Sequence, residues 1–159
     1  MKKYLVIGEV CTDVFVYGKC DRLSPEAPVP VFLPVTITHN EGMAGNVLNN
    51  LNSLIKKKEK NNVAHSIFST NYITKTRYVE EKSNHIFLRV DTNDRVDPFK
   101  KTIKEIERIS KSDAILISDY DKGFLSTDDI VSIIKAKKPS AYVFLDTKQI
   151  LPKEVLELV

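Results

Sequence analysis

Three short, continuous apolar runs constrain the fold of this chain more than anything else in it: Tyr4-Leu5-Val6-Ile7, Ala114-Ile115-Leu116-Ile117 and Tyr142-Val143-Phe144-Leu145. A strand with one wet face alternates apolar and polar residues, whereas a strand covered on both faces reads as an unbroken apolar run. The runs therefore predict a parallel sheet with helices on either side. Between the second and the third, Ser126-Thr127-Asp128-Asp129 has the form of a capping box, opening a helix that carries Ile130, Val131, Ile133 and Ile134. A helix between two buried strands predicts an α/β fold.

Open α/β sheets bind ligands at the carboxyl ends of their strands. The first run leads there through Gly8-Glu9-Val10-Cys11-Thr12 to Asp13. The second leads into Asp119-Tyr120-Asp121-Lys122-Gly123 and the third into Asp146-Thr147-Lys148. By this placement Asp13 is a candidate ligand residue, and equally a candidate turn cap.

The segment from Asp21 to Phe32 cannot be helical, because Pro25, Pro28 and Pro30 each fix φ, remove a donor and push the preceding residue out of the α region. It is expected to be an extended strut. Beyond it, Val31 to Thr38 is a β-rich run able to pair with Val14 to Gly18 as a small flap. Glu41-Gly42-Met43-Ala44-Gly45-Asn46 then reads as a glycine-bearing turn opening an amphipathic helix on Val47, Leu48, Leu51, Leu54 and Ile55. Glycines there let backbone N–H groups approach an anion or a sugar hydroxyl, or simply permit tight packing.

From Lys56 to Asn62 the chain reads as a loop or frayed helix end, and Val63 to Phe68 as a short apolar segment of either type. Tyr72 to Val79 and His85 to Asp91 are β-branched and aromatic and predict a hairpin. Lys75, Arg77 and Arg89 project from it, either as an anion clamp or as solvated strand faces. Pro98 is expected to open a helix carrying Phe99, Ile103, Ile106 and Ile109, and Pro152 a last short one.

At 159 residues, 42% hydrophobic and 28% charged, the chain has the size and composition of one soluble domain. No apolar run nears the roughly 20 residues a membrane helix needs, and Tyr4 to Ile7 is too short for a signal-peptide core. Two cysteines without metal-ligand spacing point to a reducing cytoplasm and to no metal site. Asp91 to Asp94 lacks the glycine of a calcium loop. The net charge of +3 gathers in Lys56 to Lys60, expected at a solvated helix end. No aromatic residue interleaves those lysines, so a nucleic-acid surface has little support.

Taken in order, several motifs resemble the ribokinase-like (PfkB) carbohydrate kinases, and within them the bacterial heptose 7-phosphate kinases. Gly8 to Asp13 is similar to the family's Gly-Asp-x-x-x-Asp start. The most specific element is Leu23-Ser24-Pro25-Glu26-Ala27-Pro28-Val29-Pro30-Val31, which is similar to its Ile-Ser-Pro-Glu-Ala-Pro-Val-Pro-Val. Gly42 to Val47 resembles Gly-Gly-Ala-Ala-Asn-Val, and Thr74 to Arg77 with Leu88 to Asp91 resemble the lid strands. Ser118 to Gly123 resembles Ser-Asp-Tyr-x-Lys-Gly, and Asp146 to Lys148 resembles Asp-Pro-Lys.

The resemblance implies a partial Rossmann-type parallel sheet in a single domain, 1–159, with a small β lid formed by 14–38 and 72–91. It implies transfer of the γ-phosphoryl group of ATP, with Mg²⁺, to a heptose 7-phosphate or similar sugar phosphate. Asp13, Gly42 and Asn46 would hold sugar hydroxyls, Lys75, Arg77 and Arg89 would face the sugar phosphate, and Asp119, Lys122 and Lys148 would lie toward phosphates. A homo-oligomer through the lid, or a partner chain covering a truncated sheet, is the expected association.

The departures restrict this reading. No Gly-x-Gly-Asp occurs in the sequence, and the family's catalytic aspartate, amide cradle and Mg²⁺-supporting Asn-x-x-Glu are missing. Between Leu51 and Tyr72 the chain lacks a strand and a helix of the family, and Glu9, Met43 and Thr147 replace an aspartate, a glycine and a proline. Phosphoryl transfer is positioning plus electrostatic stabilisation, so ATP, Mg²⁺ and turnover are not expected of the chain alone. The alternative is a non-catalytic module for sugar-phosphate binding or oligomerisation.

Overall fold

The computed structural model describes residues 1–58 and 61–158, with backbone only at 56–58. In chain order the elements are β1 (Lys3–Gly8), β2 (Val10–Lys19), β3 (Leu33–Met43), α1 (Ala44–Lys58), β4 (Val63–Phe68), β5 (Ile73–Glu80), β6 (Ile86–Thr92), α2 (Ile103–Ser110), β7 (Ala114–Asp119), α3 (Thr127–Ala136), β8 (Tyr142–Thr147) and α4 (Lys153–Leu156). They form two four-stranded sheets. The first has the order β4-β1-β7-β8 and is parallel throughout. The second has the order β3-β2-β5-β6, with β2 antiparallel to β3, parallel to β5, and β5 antiparallel to β6.

The apolar runs become β1, β7 and β8, and in β1 and β7 burial of both faces explains why they are unbroken. Leu5, Ile7, Ile115 and Ile117 point to one face and join Ile109, Ile130 and Ile133 of α2 and α3. Val6 and Leu116 point to the other, where Ala44, Val47, Leu48 and Leu51 of α1 cover them. Each buried aliphatic side chain contributes about 1.5–3 kcal/mol. The chain steps from β1 to β4 in one direction across the sheet and from β7 to β8 in the other, so right-handed crossovers place α1 and α3 on opposite faces.

Several expectations are revised. β2 is one ten-residue strand beginning at Val10, and β3 runs to Met43, so no separate turn spans Glu41 to Asn46. The chain reverses at Met43 alone, with φ of 53°, and enters α1 at Ala44. That left-handed conformation costs a non-glycine residue about 1–2 kcal/mol; burial of the Met43 side chain in the core offsets it. The helix expected from Pro98 begins at Ile103, because Thr102 and Glu105 form a reciprocal capping box there. Phe99 instead packs edge-on against Phe124, its N–H bonded to the Phe124 carbonyl at 2.7 Å. Ile103 is then left 90% exposed.

Val63 to Phe68 is strand β4, and α1 continues to Lys58, where a loop or a frayed helix end was expected from Lys56. The lysine-rich run at 56–60 lies outside the described side chains. The hairpin, the capping box at Ser126 and the short helix after Pro152 form as expected. β8 is an edge strand covered on one face, with Tyr142 72% and Phe144 59% exposed.

Candidate functional site

The two sheets meet at the carboxyl ends of β1 and β7. Gly8 pairs there with Ser118, and a Cβ on Gly8 would lie 2.0 Å from the Ser118 carbonyl oxygen, so only glycine lets these strands close. The next residue, Glu9, is fully buried. Its carboxylate accepts hydrogen bonds from the backbone N–H of Tyr120 at 2.9 Å and of Lys122 at 3.0 Å. Its carbonyl accepts from the N–H of Ala44, the first residue of α1, at 2.9 Å. Glu9 thus ties together the start of β2, the start of α1 and the loop after β7.

Above this junction lies a cavity of about 530 Å³ between the second sheet and the start of α1. The structure brings Asp13, Gly42, Asn46, Lys75 and Arg77 to its walls, together with Tyr120. Strand register explains the convergence. Asp13 pairs with Lys75 on one side and Asn40 on the other, and Arg77 pairs with Phe15, so side chains of one parity face one cavity. Gly42 lies across from Cys11, and a Cβ there would come within 2.4 Å of both the Asp13 carboxylate and the Cys11 sulfur. A side chain at 42 would therefore displace Asp13.

Inside the cavity Arg77 Nη1 donates to Asp13 Oδ1 at 2.7 Å, and the guanidinium lies 5.0 Å from the Phe15 ring centre. Tyr120 is flanked by two ammonium groups, Lys148 at 4.7 Å and Lys75 at 6.0 Å from its ring centre. Burial, and then Asp146, pushes the Tyr120 phenol above its ordinary value. Burial, and then Asp13, does the same to the Cys11 thiol. Both are neutral near pH 7, leaving two cations, Lys75 and Arg77, and two carboxylates, Asp13 and Glu41, as the charges on the cavity wall.

The remaining candidates lie outside that wall. Arg89 stands opposite Arg77 in register, but its Nε and Nη2 grip Asp91 at 2.7 and 2.6 Å. That bond holds the Asp91 carboxyl below its ordinary value and raises the Arg89 guanidinium. Lys122 Nζ pairs with Asp94 at 2.6 Å. Asp119 is buried and acts as a junction: its Oδ2 accepts from Thr147 Oγ1 and, at 2.8 Å, from Gln149 Nε2, while its Oδ1 accepts from the Asp121 N–H at 3.0 Å. Glu9, Tyr120 and Cys11 were not singled out as site residues from the sequence. Glu9 carried a signal, as the one charge inside the stretch from Tyr4 to Thr12.

Among the described residues no three His, Cys, Asp or Glu side chains are grouped to hold a metal ion. Of the carboxylates nearest the site, Glu9, Asp13 and Asp119 are engaged by protein donors, and Glu41 on the cavity wall belongs to no cluster of three such ligands among the described residues. The residues present therefore do not fit a Mg²⁺ centre. Among the described residues no helix is long and apolar enough to cross a membrane.

No protein-family model matches the chain. It is 34% identical to the bifunctional protein HldE of Helicobacter pylori strain J99, over 93% of this chain and 38% of that protein. It is 35% identical to the HldE of Aliarcobacter butzleri, over 91% of this chain and 36% of that one. The chain thus spans less than two fifths of the length of the curated relatives it matches. The Helicobacter alignment covers 176 positions, more than the 159 residues of the chain, so that relative carries residues this chain lacks. Among solved structures, phosphofructokinase-2 from Escherichia coli in complex with potassium superposes with a TM-score of 0.58 at 12% identity, over 99% of this chain and 56% of that one. Arabidopsis thaliana ribokinase complexed with ribose and ATP gives 0.57 at 11%, over 100% and 59%.

Proposed function

We infer that this chain, which has the ribokinase-like carbohydrate-kinase fold and is homologous to part of the HldE proteins, is the sugar-binding portion of an ATP-dependent sugar kinase acting on a heptose 7-phosphate or a similar sugar phosphate. The observation that supports it is the meeting of Asp13 with Lys75 and Arg77 in one cavity. A sugar phosphate carries hydroxyl donors and a dianion on one small frame. A carboxylate suits the first and a pair of cations the second.

In this reading Asp13 and Asn46 accept from and orient sugar hydroxyls, and Gly42 leaves room for Asp13. Lys75 and Arg77 hold the phosphate, with Arg89 and the more distant Lys122, Lys148 and Asp119 around them. The second sheet, over 14–38 and 72–91, is the lid. The base and amide cradle of the resembling kinases have no counterpart in the sequence, so this chain binds and orients the sugar and does not transfer the phosphoryl group alone. Its two free cysteines suit the reducing cytoplasm, where sugar phosphates are found.

Calorimetry tests the binding claim. Heptose 7-phosphate is expected to bind at least tenfold more tightly than the unphosphorylated heptose, and Arg77→Ala to erase most of that difference. Equal affinities would refute it. A coupled ATP-consumption assay on the chain with sugar phosphate and Mg²⁺ is expected to show no turnover above background.

A second reading has its own support. The outer face of the second sheet exposes Val35, Ile37, Leu88 and Val90, a patch suited to pairing with another copy of the chain. A dimer by light scattering that Ile37→Lys splits, with no heat from any sugar phosphate, would make oligomerisation the function.

A further inference from the structure

Helix α2 lies on the face of the parallel sheet that carries Leu5 and Ile7, where Ile109 enters the core. Lys104, Arg108 and Lys111 are four and three positions apart and share another face of that helix. The sheet presents Lys3 and His65 to them. His65 pairs with Leu5 and Lys3 lies two residues before it, so both side chains stand on the side that α2 covers. Together with Glu107 and Ser112 these residues line a cavity of about 280 Å³.

Four of the lining side chains are cationic and one is a carboxylate, an excess of three positive charges. That is as large as the net charge of all 159 residues. Glu107 is taken by Lys111, its neighbour one turn on. Among the described residues the Lys3 and Lys104 ammonium groups have no ion-pair partner. Arg108 is held in place: its Nη1 donates to the Ser66 carbonyl at 3.2 Å, which leaves the rest of its fork of N–H groups for a ligand. Val63 gives its N–H to β1 through the Lys2 carbonyl, and by alternation Ala64 and Ser66 turn their backbone groups outward, where no further strand meets them. Their N–H groups add donors beside the cations.

The chemistry selects the ligand. Cations gathered without matching carboxylates repel one another, and an anion with several charges on adjacent oxygens relieves them and fits the guanidinium fork. Sites for larger organic ligands begin near 300 Å³, so the cavity suits a compact anion and not a whole nucleotide. We propose that α2, β1 and β4 form an anion site that takes a small oligophosphate, such as pyrophosphate or triphosphate, among Lys3, Lys104 and Arg108. Lys3 and Gly8 are the two ends of β1, about 17 Å apart, so this site is separate from the cavity at Asp13 and stands whether or not that cavity takes a sugar phosphate.

Calorimetry on the purified chain at low ionic strength tests the site with inorganic phosphate, pyrophosphate and triphosphate. Affinity is expected to rise in that order and to fall as salt is added. Lys104→Glu, at an exposed residue, is expected to weaken triphosphate binding at least tenfold with an unchanged melting temperature, and Arg108→Lys several-fold. Glu107→Gln has the opposite sign and is expected to tighten binding, because it removes the one carboxylate of the cavity. Arg77→Ala is expected to leave triphosphate binding as it was. On titration the amide resonances that move are expected to be those of Lys3, Ala64 to Ser66 and α2. Unchanged binding by Lys104→Glu, loss of binding in Arg77→Ala, or resonances that move at Asp13 and Lys75 instead would overturn the proposal. ADP binding more tightly than pyrophosphate would overturn the choice of a free oligophosphate, and a DNA duplex binding more tightly than triphosphate would show an open basic surface in place of a site.

Discussion

The two sheets have four strands each and differ in what their faces meet. In the parallel sheet β1 is buried on both sides, and Leu5, Val6 and Ile7 are inaccessible to solvent. In the mixed sheet every residue of β6 is exposed, and β3 is exposed until its last two residues. One sheet places its side chains in a core, and the other presents them to whatever enters the cavity or covers the outer face. Stability and recognition are therefore separated in space, joined at Gly8 and Glu9.

The largest effect expected is at that junction. Gly8→Ala drives a methyl group into the Ser118 carbonyl, where backbone and not a flexible side chain must move, and is expected to cost at least about 3 kcal/mol. Thermal unfolding with a near-normal midpoint would show that the sheets are less tightly joined than their register implies. Glu9→Ala strands the Tyr120 and Lys122 N–H groups and is expected to cost about 2–4 kcal/mol, with Glu9→Gln recovering part of it.

A paired substitution sharpens the contrast. Ile115→Ala in the parallel sheet is expected to cost about 2–5 kcal/mol, and Val90→Ala in the mixed sheet under about 1 kcal/mol, by urea denaturation. Equal costs would mean that the mixed sheet is covered in solution. The smallest effect concerns acid. Asp113 accepts from Lys138 Nζ at 2.6 Å and from the Lys3 N–H, and these bonds, led by that from Lys138, hold its carboxyl below the ordinary value. Because the folded-state value is the lower one, its stabilisation is present above the ordinary carboxylate range near 3.9 and is lost as pH falls through the folded value. Asp113→Asn is expected to lower the melting temperature slightly at pH 6 and to matter progressively less as pH falls below the ordinary carboxylate value near 3.9.

The sequence makes β1 and β7 legible because burial on both faces leaves no room for polar residues. It makes the hairpin of β5 and β6 legible through β-branched alternation. It hides the joint between β3 and α1: Asn84 and Asn93 announce left-handed backbone by their identity, whereas Met43 does not. Pro98 misleads because the Thr102–Glu105 box satisfies the helix start better. Within the site, Lys75 and Arg77 are readable as one face of one strand. Arg89 looks equivalent, but its guanidinium is taken by Asp91, two residues along and on the same face, and no pattern of residue types distinguishes the two arrangements.

The ion pair between Arg77 and Asp13 has a consequence for selectivity. With no ligand the two groups already satisfy one another. A bare anion that draws Arg77 away leaves Asp13 short of a donor, and a neutral sugar that engages Asp13 leaves Arg77 short of an acceptor. If the cavity takes a sugar phosphate as proposed, only a molecule offering both functions at the right separation replaces both halves of the pair, so the cavity would act as a coincidence detector that favours two chemical signals arriving together over either alone.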